Sequence, residues 1–407
     1  MIALSIVIGI IGLVFALQSL SDLISLVAIA VHRSHADRTS AGGPKPRFLV
    51  LVPAHDEALL IAETVRSVRR LRWPADRCRA VVVADNCTDD TALIARAEGA
   101  EAWERTDSTL RGKPYAIAWA LERIELAGVD AVVVLDADST IDPGYCDAVF
   151  GAGPVRDRAF QGWIDVSNRG ENALTRMGAV FSAARCLYAN RIKTEAGLTV
   201  PFGNGLCLGA GILERHGWNA FSICEDWELY ALLTRDGVPI LGVPGAHTYS
   251  QEARSLAQGA SQRSRWTAGK LTVLIRYARG LLSTKRIGWR QKLDAMAELT
   301  APGPVVQSAV AVLLAAVAWF LAVPGWPLLV LLLLASLVRQ ALFALLALRR
   351  DPEPGRALLA FVYLPFYAIW RLGIQIKSLT MVGDKPWVKT ARHVDPEGGK
   401  QSGGGLR

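Results

Sequence analysis

The sequence predicts an α/β domain with parallel strands, held between apolar helices near both ends of the chain. Three observations carry this. Ala131–Ser139 is an apolar run that reads as a buried strand, and it ends in two carboxylates, Asp136 and Asp138, one residue apart. Strand, polar turn and helical spacing then recur, beginning at Arg47–Pro53. The apolar residues are also unevenly placed. They concentrate in Met1–Val31 and from about Val305 onward, while the middle has ordinary globular composition.

Met1–Val31 is long enough to cross a bilayer and lacks a basic leader, and Arg33, Arg38, Lys45 and Arg47 follow it. This predicts an uncleaved anchor over residues 1–31 with its C-terminal side in the cytosol. Asp22, near the inner end, fits either a neighbouring helix or the headgroups. Residues 32–46 read as a linker, with Ala41–Pro46 rich in Gly and Pro. The formal charge of +8 suits anionic lipid headgroups or a phosphorylated substrate. No basic tract is interleaved with aromatics, which argues against nucleic acid as a partner. Six cysteines without a Cys-x-x-Cys pair predict reduced thiols in a cytosolic domain, with neither a metal site nor a disulfide framework.

The middle domain, residues 47–269, opens with a strand over Arg47–Pro53, the turn Ala54-His55-Asp56-Glu57 and a helix over Leu59–Leu71. That is the opening of a nucleotide-binding βα unit. A second strand, Ala80–Ala84, ends in Asp85-Asn86-Cys87-Thr88-Asp89-Asp90. Asp85 stands where a base or ribose is read, whereas Asp89 and Asp90 serve equally as helix caps. Glu101–Glu104 is a short strand. Arg111-Gly112-Lys113, ahead of a helix over Tyr115–Glu125, either faces phosphate or a base, or is a solvated loop. Asp136 and Asp138 follow, spaced to point the same way past a strand end, where open α/β sheets bind ligands. They suit Mg²⁺ or Mn²⁺ shared with a diphosphate, or alternatively a solvated turn.

Further on, Phe160–Asn168 reads as a strand and Leu174–Asn190 as a helix. Pro201–Gly209 is Gly-rich without Gly-Lys-Ser/Thr, so it is no Walker loop; it fits close approach to a ligand, or a bulged strand. Glu225 and Asp226 open a helix, a position that is ordinary for carboxylates and that also suits a general base. In Gln262-Arg263-Ser264-Arg265-Trp266, Arg265 suits a diphosphate and Trp266 a sugar ring; the same pair also suits an interfacial anchor. Residues 270–300 contain an amphipathic surface helix, Leu271–Leu282. Residues 301–381 hold spanning helices at Val305–Val323 and Leu328–Leu348, joined by a hairpin at Pro324–Pro327. Arg349, Arg350 and Arg356 predict a cytosolic loop after them. Ala357–Leu379, with Pro365, Arg371 and Lys377, either crosses or lies partly in the interface; Lys385, Lys389 and Arg392 predict a cytosolic tail, which favours a non-crossing segment. Residues 382–407 read as a cytosolic tail, disordered at its Gly-rich end.

Taken in order, five pieces resemble the membrane-embedded, inverting family 2 glycosyltransferases, which include cellulose, chitin and hyaluronan synthases and ceramide glucosyltransferases. The pieces are Val52–Glu57, Ala84–Asp90, Asp136-Ala137-Asp138, Glu225-Asp226 and Gln262–Trp266. The resemblance covers roughly Phe48–Trp266 and the flanking membrane layout. It implies a GT-A, Rossmann-like fold and a UDP-sugar donor. By position, Pro53, His55, Glu57 and Asp85 would hold uridine, and Lys113 would lie near the base or phosphates. Asp136 and Asp138 would sit at the diphosphate and its Mg²⁺ or Mn²⁺. Asp226, beside Glu225, would be the catalytic base. Gln262 and Arg265 would close over the diphosphate, with Trp266 beneath the acceptor sugar.

One base and one displacement at the sugar C1 imply inversion. The implied enzyme is an integral inner-membrane protein with a cytosolic catalytic domain. Its acceptor is a growing exopolysaccharide-type glycan or, alternatively, a lipid headgroup or ceramide-like lipid receiving a single sugar, as in ceramide glucosyltransferases. Membrane lipids are expected partners, and the layout leaves room for an export or assembly partner protein. Two residues depart from the family pattern: Cys224 stands where Thr is usual, and Asn86 where many relatives carry a second Asp. A nucleotide-sensing membrane protein would have no need of Asp226 and Trp266 alongside the paired carboxylates. A hydrolase using the same metal pair would need a Ser, Cys or His nucleophile arrangement, and none is evident.

Overall fold

The computed structural model describes residues 1–32 and 43–383. Arg33, Arg38, most of the expected linker, and the tail with Lys385, Lys389 and Arg392 lie outside the described residues. The chain begins with a long apolar helix, α1 (Ile2–His32). The domain then runs β1 (Phe48–Ala54), α2 (Ile61–Arg69), β2 (Cys78–Asp85), α3 (Thr91–Ala97), β3 (Glu101–Arg105), α4 (Lys113–Leu121) and β4 (Ala131–Val134). After these come β5 (Thr140–Ile141), α5 (Tyr145–Gly151), β6 (Ala159–Val166), α6 (Ala173–Ala183) and α7 (Asn190–Glu195), the last two joined by a π-helical turn over Ala184–Ala189. The domain continues through β7 (Leu206–Gly209), α8 (Ala210–His216), α9 (Glu225–Arg235) and β8 (Ile240–Ser250).

The strands form one mixed sheet in the order β3-β2-β1-β4-β7-β6-β8-β5. β3, β2, β1 and β4 run parallel, whereas β7 is antiparallel to β4. The chain thus reverses its direction of travel across the sheet between β1 and β4, which opens a crevice at their C-terminal ends. Helices cover both faces, so the central strands are apolar on both sides. Val50 and Val52 of β1 pack with Val82, Val133 and Ile61 on one face. Leu49 and Leu51 pack with Val81, Val83, Val132 and Ile117 on the other.

Beyond the sheet, α10 (Leu256–Ser283) is a single 28-residue helix. It carries the Gln262–Trp266 pentad and the expected amphipathic stretch, so the boundary expected at 269/270 falls mid-helix. α11 (Trp289–Thr300) and α12 (Pro304–Phe320) meet at an 81° bend across Ala301-Pro302-Gly303. Pro302 and Pro304 interrupt the helical ladder there, and Gly303 takes φ +91°. α13 (Trp326–Leu348), α14 (Pro354–Ala360) and α15 (Leu364–Leu379) complete the described chain. Among the described residues, three segments are long and apolar enough to cross a membrane: Ile2–Val31, Trp326–Leu348 and Pro354–Leu379. The bent α11–α12 pair makes a fourth only if counted as one span, whereas the sequence pointed to a straight span over Val305–Val323. Asp22 faces another helix: its carboxylate accepts from Arg339 Nε of α13 at 2.6 Å.

Candidate active site

The parallel register brings the ends of β1, β2 and β4 to one edge, because Ala54 pairs with Ala84 and Leu51 with Val134. Pro53–Glu57, Asp85 and Asp136 therefore gather around the crevice. Asp56 and Asn86 adopt φ +52° and +51°, a left-handed conformation that Asp and Asn tolerate best after glycine. These two turns are laced together. Thr88 N–H donates to Asp56 Oδ1 at 2.6 Å, Glu57 N–H to Thr91 Oγ1 at 2.8 Å, and Ala58 N–H to Asp89 Oδ2 at 3.0 Å. Asp56, Cys87 and Asp89 lie close enough to share an ion, but their carboxylates already accept backbone amides and hold the two loops in register. His55 Nδ1 lies 2.7 Å from the Asp85 carbonyl.

Asp85 is buried. Its carboxylate accepts from Arg105 Nη1 at 2.5 Å and from Gly112 N–H at 3.3 Å. The sequence did not single out Arg105, although Asp85 and Arg105 are register partners at the ends of adjacent strands. Gly112 takes φ +111°, which turns the chain sharply into α4.

Lys113 then projects into the crevice, where its Nζ lies 2.7 Å from both Asp136 Oδ1 and Glu225 Oε1. Burial works to lower the Lys113 pKa, but the charges of Asp136 and Glu225 outweigh it, and the pKa rises. Asp136 N–H donates to Asn204 Oδ1 at 2.9 Å. Asn204 Nδ2 donates in turn to Ser139 Oγ and Ser250 Oγ at 2.8 Å each, and Ser139 Oγ donates to Asp138 Oδ1 at 3.1 Å. The Gly-rich loop thus braces the end of β4 through Asn204, which the sequence did not single out either. Asp226, in the first turn of α9, has its pKa pushed up to about 7 by burial and by Glu225, against the pull of Lys113. Two hard carboxylates on one strand end, Asp136 and Asp138, have the donor chemistry of a Mg²⁺ or Mn²⁺ site.

The pentad lies beside the start of α9, where Cys224 Sγ is 3.7 Å from the Arg265 carbonyl and 3.8 Å from that of Trp266. A Cβ on Gly269 would come within 2.3 Å of Cys224 Sγ. Glu228, buried one turn into α9, accepts from Tyr277 Oη at 2.5 Å and from Arg276 Nη1 at 3.4 Å. Arg263 pairs with Glu252 and stacks 4.9 Å from the centre of the Trp266 ring, which is 45% exposed. Gln262 and Arg265 are partly buried on the same helix.

Residues 46–269, more than half of the chain, match the family model described as glycosyltransferase like family 2. The chain belongs to that family. Its glycosyltransferase domain has curated relatives. YdaM of Bacillus subtilis, named a probable glycosyltransferase, is 27% identical over 254 residues, 59% of each chain. Beta-monoglucosyldiacylglycerol synthase of Synechocystis is 26% identical over 266 residues, 62% of this chain and 53% of that one. The match therefore spans little more than half the length of these relatives. Among solved structures, the mannosyltransferase PcManGT of Pyrobaculum calidifontis, in complex with GDP-Man and Mn²⁺, superposes with a TM-score of 0.56. The superposition covers 91% of this chain and 99% of that one at 18% identity, and it shows the GT-A fold.

One further cation of the family 2 domain was not read from the sequence. Arg185, on the π-helical turn, stacks 5.3 Å from the centre of the Trp227 ring, and its charge acts on Asp226. Lys270 lies over the same ring at 4.3 Å and donates to the Ala301 carbonyl at 2.7 Å.

Proposed function

We propose that the chain is an inverting glycosyltransferase moving a sugar from a UDP-sugar to a growing exopolysaccharide-type glycan at the cytosolic face of a membrane. The observation that carries this is Lys113 held between Asp136 and Glu225. The paired-carboxylate strand end and the helix bearing Asp226 share one cleft, with the acceptor-side pentad on the adjoining helix.

The turn Pro53–Glu57 and Asp85 hold the uridine, with His55 fixed by the Asp85 carbonyl and Asp85 fixed by Arg105. Asp136 and Asp138 are the residues that would hold Mg²⁺ or Mn²⁺, and the ion when bound supplies charge stabilisation to the departing diphosphate. Lys113 releases one carboxylate partner and turns to the diphosphate. Arg265, with its fixed fork of donors, and Gln262 close over the same group. Asp226 accepts the proton of the acceptor hydroxyl as that oxygen attacks C1 from the face opposite the diphosphate. One C–O bond forms as the other breaks, so an α-linked donor gives a β-linked product. Trp266 offers its exposed face to the acceptor sugar.

A second reading is a single addition to a lipid. It is favoured by the likeness to beta-monoglucosyldiacylglycerol synthase. The test uses full-length protein in nanodiscs, a panel of UDP-sugars plus GDP-mannose, Mn²⁺, and mass spectrometry of products. A ladder of additions from one UDP-sugar, stopped by chelation and restored by Mn²⁺ or Mg²⁺, is expected. A single addition that needs a particular lipid would support the second reading. Folded protein that releases nucleotide from no donor would contradict both.

A further inference from the structure

The α15 helix carries an arginine inside an apolar segment, and the described residues give it no carboxylate partner. Arg371 belongs to the membrane-length stretch Pro354–Leu379. Among the described residues its Nη1 is buried without a hydrogen-bond partner, as is Oε1 of Gln375, one turn further along the same face. The charged and titratable groups facing Arg371 are Arg263, Glu252 and Tyr367. The one carboxylate among them, Glu252, is already paired with Arg263. Two guanidinium groups therefore meet a single carboxylate at this seam between α10 and α15. A partly buried cation that shares its one carboxylate is costly, and in membrane segments such residues mark functional sites.

The surroundings indicate which anion fits. Tyr367 and Trp370 stack with ring centres 5.5 Å apart, an aromatic pair of the kind found at headgroup level. Trp370 reaches α10, lying 3.6 Å from where a Cβ on Gly259 would be. The outward face of α15 shows Phe366, Ile369 and Ile376, all largely exposed and suited to acyl chains.

We propose that Arg371, with Gln375 beside it, binds the phosphate of an anionic glycerophospholipid at the seam between α10 and α15. Arg371 Nη1 donates to the phosphate, and Gln375 Oε1 accepts from a headgroup hydroxyl. The site adjoins α10 next to the pentad residues Arg263 and Trp266. The inference rests on the membrane reading of Pro354–Leu379.

Native mass spectrometry of the detergent-solubilised full chain tests it. The probes are phosphatidylglycerol and phosphatidylcholine of matched chains, offered together. Wild type should retain phosphatidylglycerol with about a tenfold preference, the scale of one charge-assisted contact. Arg371→Gln should bring the two lipids to parity, and Arg371→Lys should restore part of the preference. Arg349→Gln, at an exposed cation just past α13, should leave it intact. Circular dichroism confirms that each variant is folded. A wild type without preference, or an Arg371→Gln protein with an unchanged one, overturns the site. Binding of inorganic phosphate that competes equally with the lipid overturns the lipid assignment. A chain that stays monodisperse without detergent overturns the membrane reading, and the site with it.

Discussion

Asp226 sits in the first turn of α9 under opposing influences. Burial and Glu225 favour its neutral form, Lys113 favours the carboxylate, and the balance lies at about 7. The carboxylate is the form that takes a proton. Transfer should therefore rise with pH along an acid limb and level off above about 7, as a pH profile of kcat would show. Removing a nearby cation raises a carboxyl pKa. Lys113→Gln should accordingly move that limb to higher pH and also weaken donor binding; an unmoved limb would separate Lys113 from Asp226. The sign for stability runs the other way. The folded pKa exceeds the ordinary value of 3.8, so the native state binds more protons than the unfolded chain between about 4 and 7. Stability from this group is thus lost as pH rises through that window. Asp226→Asn, which carries no charge, should melt at or above the wild-type temperature at pH 8.

At the scale of elements, the junction of α9 with α10 sets where the pentad lies relative to Glu225 and Asp226. Gly269 leaves no room for a methyl group against Cys224. Gly269→Ala should cost about 1–3 kcal/mol by overpacking. It should also lower kcat at least tenfold, because α10 must move away from α9; thermal melts and steady-state assays check the two effects. Unchanged kcat would mean that the pentad does not need this contact. The central strands were legible in the sequence because both faces of the sheet are covered, which leaves continuous apolar runs such as Ala131–Leu135. β8 was not legible. It contains Gly242, Pro244 and Gly245 and has an irregular register against β6, so no strand period survives. The first half of α10 was hidden for a related reason. Its Ser-, Gly- and Arg-rich start lacks apolar periodicity and is helical through the Ser255 cap and packing on α9 and α15. The strand-end acids were visible as motifs. Arg105 and Asn204, which fix Asp85 and Asp136, were not, because each acts through a neighbour in space rather than in sequence.

The whole molecule is joined at a buried polar seam between the catalytic domain and the apolar helices. Lys193 of α7, 2% exposed, pairs with Asp294 of α11 and lies 3.1 Å from Glu298. Ser21 of α1 donates to Asp294 at 2.8 Å, and Gln18 reaches Glu298 at 3.4 Å. Three elements, α1, α7 and α11, thus share one cluster, which ties the orientation of the crevice to the apolar helices. Lys193→Met leaves two buried carboxylates without their cation and should cost about 3–5 kcal/mol. That loss should be read as a lower melting temperature in detergent, with the domain parting from the apolar helices in limited proteolysis. A wild-type melt would mean that the seam contributes little. The central claim is that this assembly transfers a sugar with Asp226 as base. The most direct measurement pairs UDP affinity by calorimetry with UDP-sugar turnover for wild type and Asp226→Asn in nanodiscs. The account predicts near-equal UDP binding and turnover reduced at least a hundredfold, the range contributed by a positioned base. Retained turnover in the variant would contradict it.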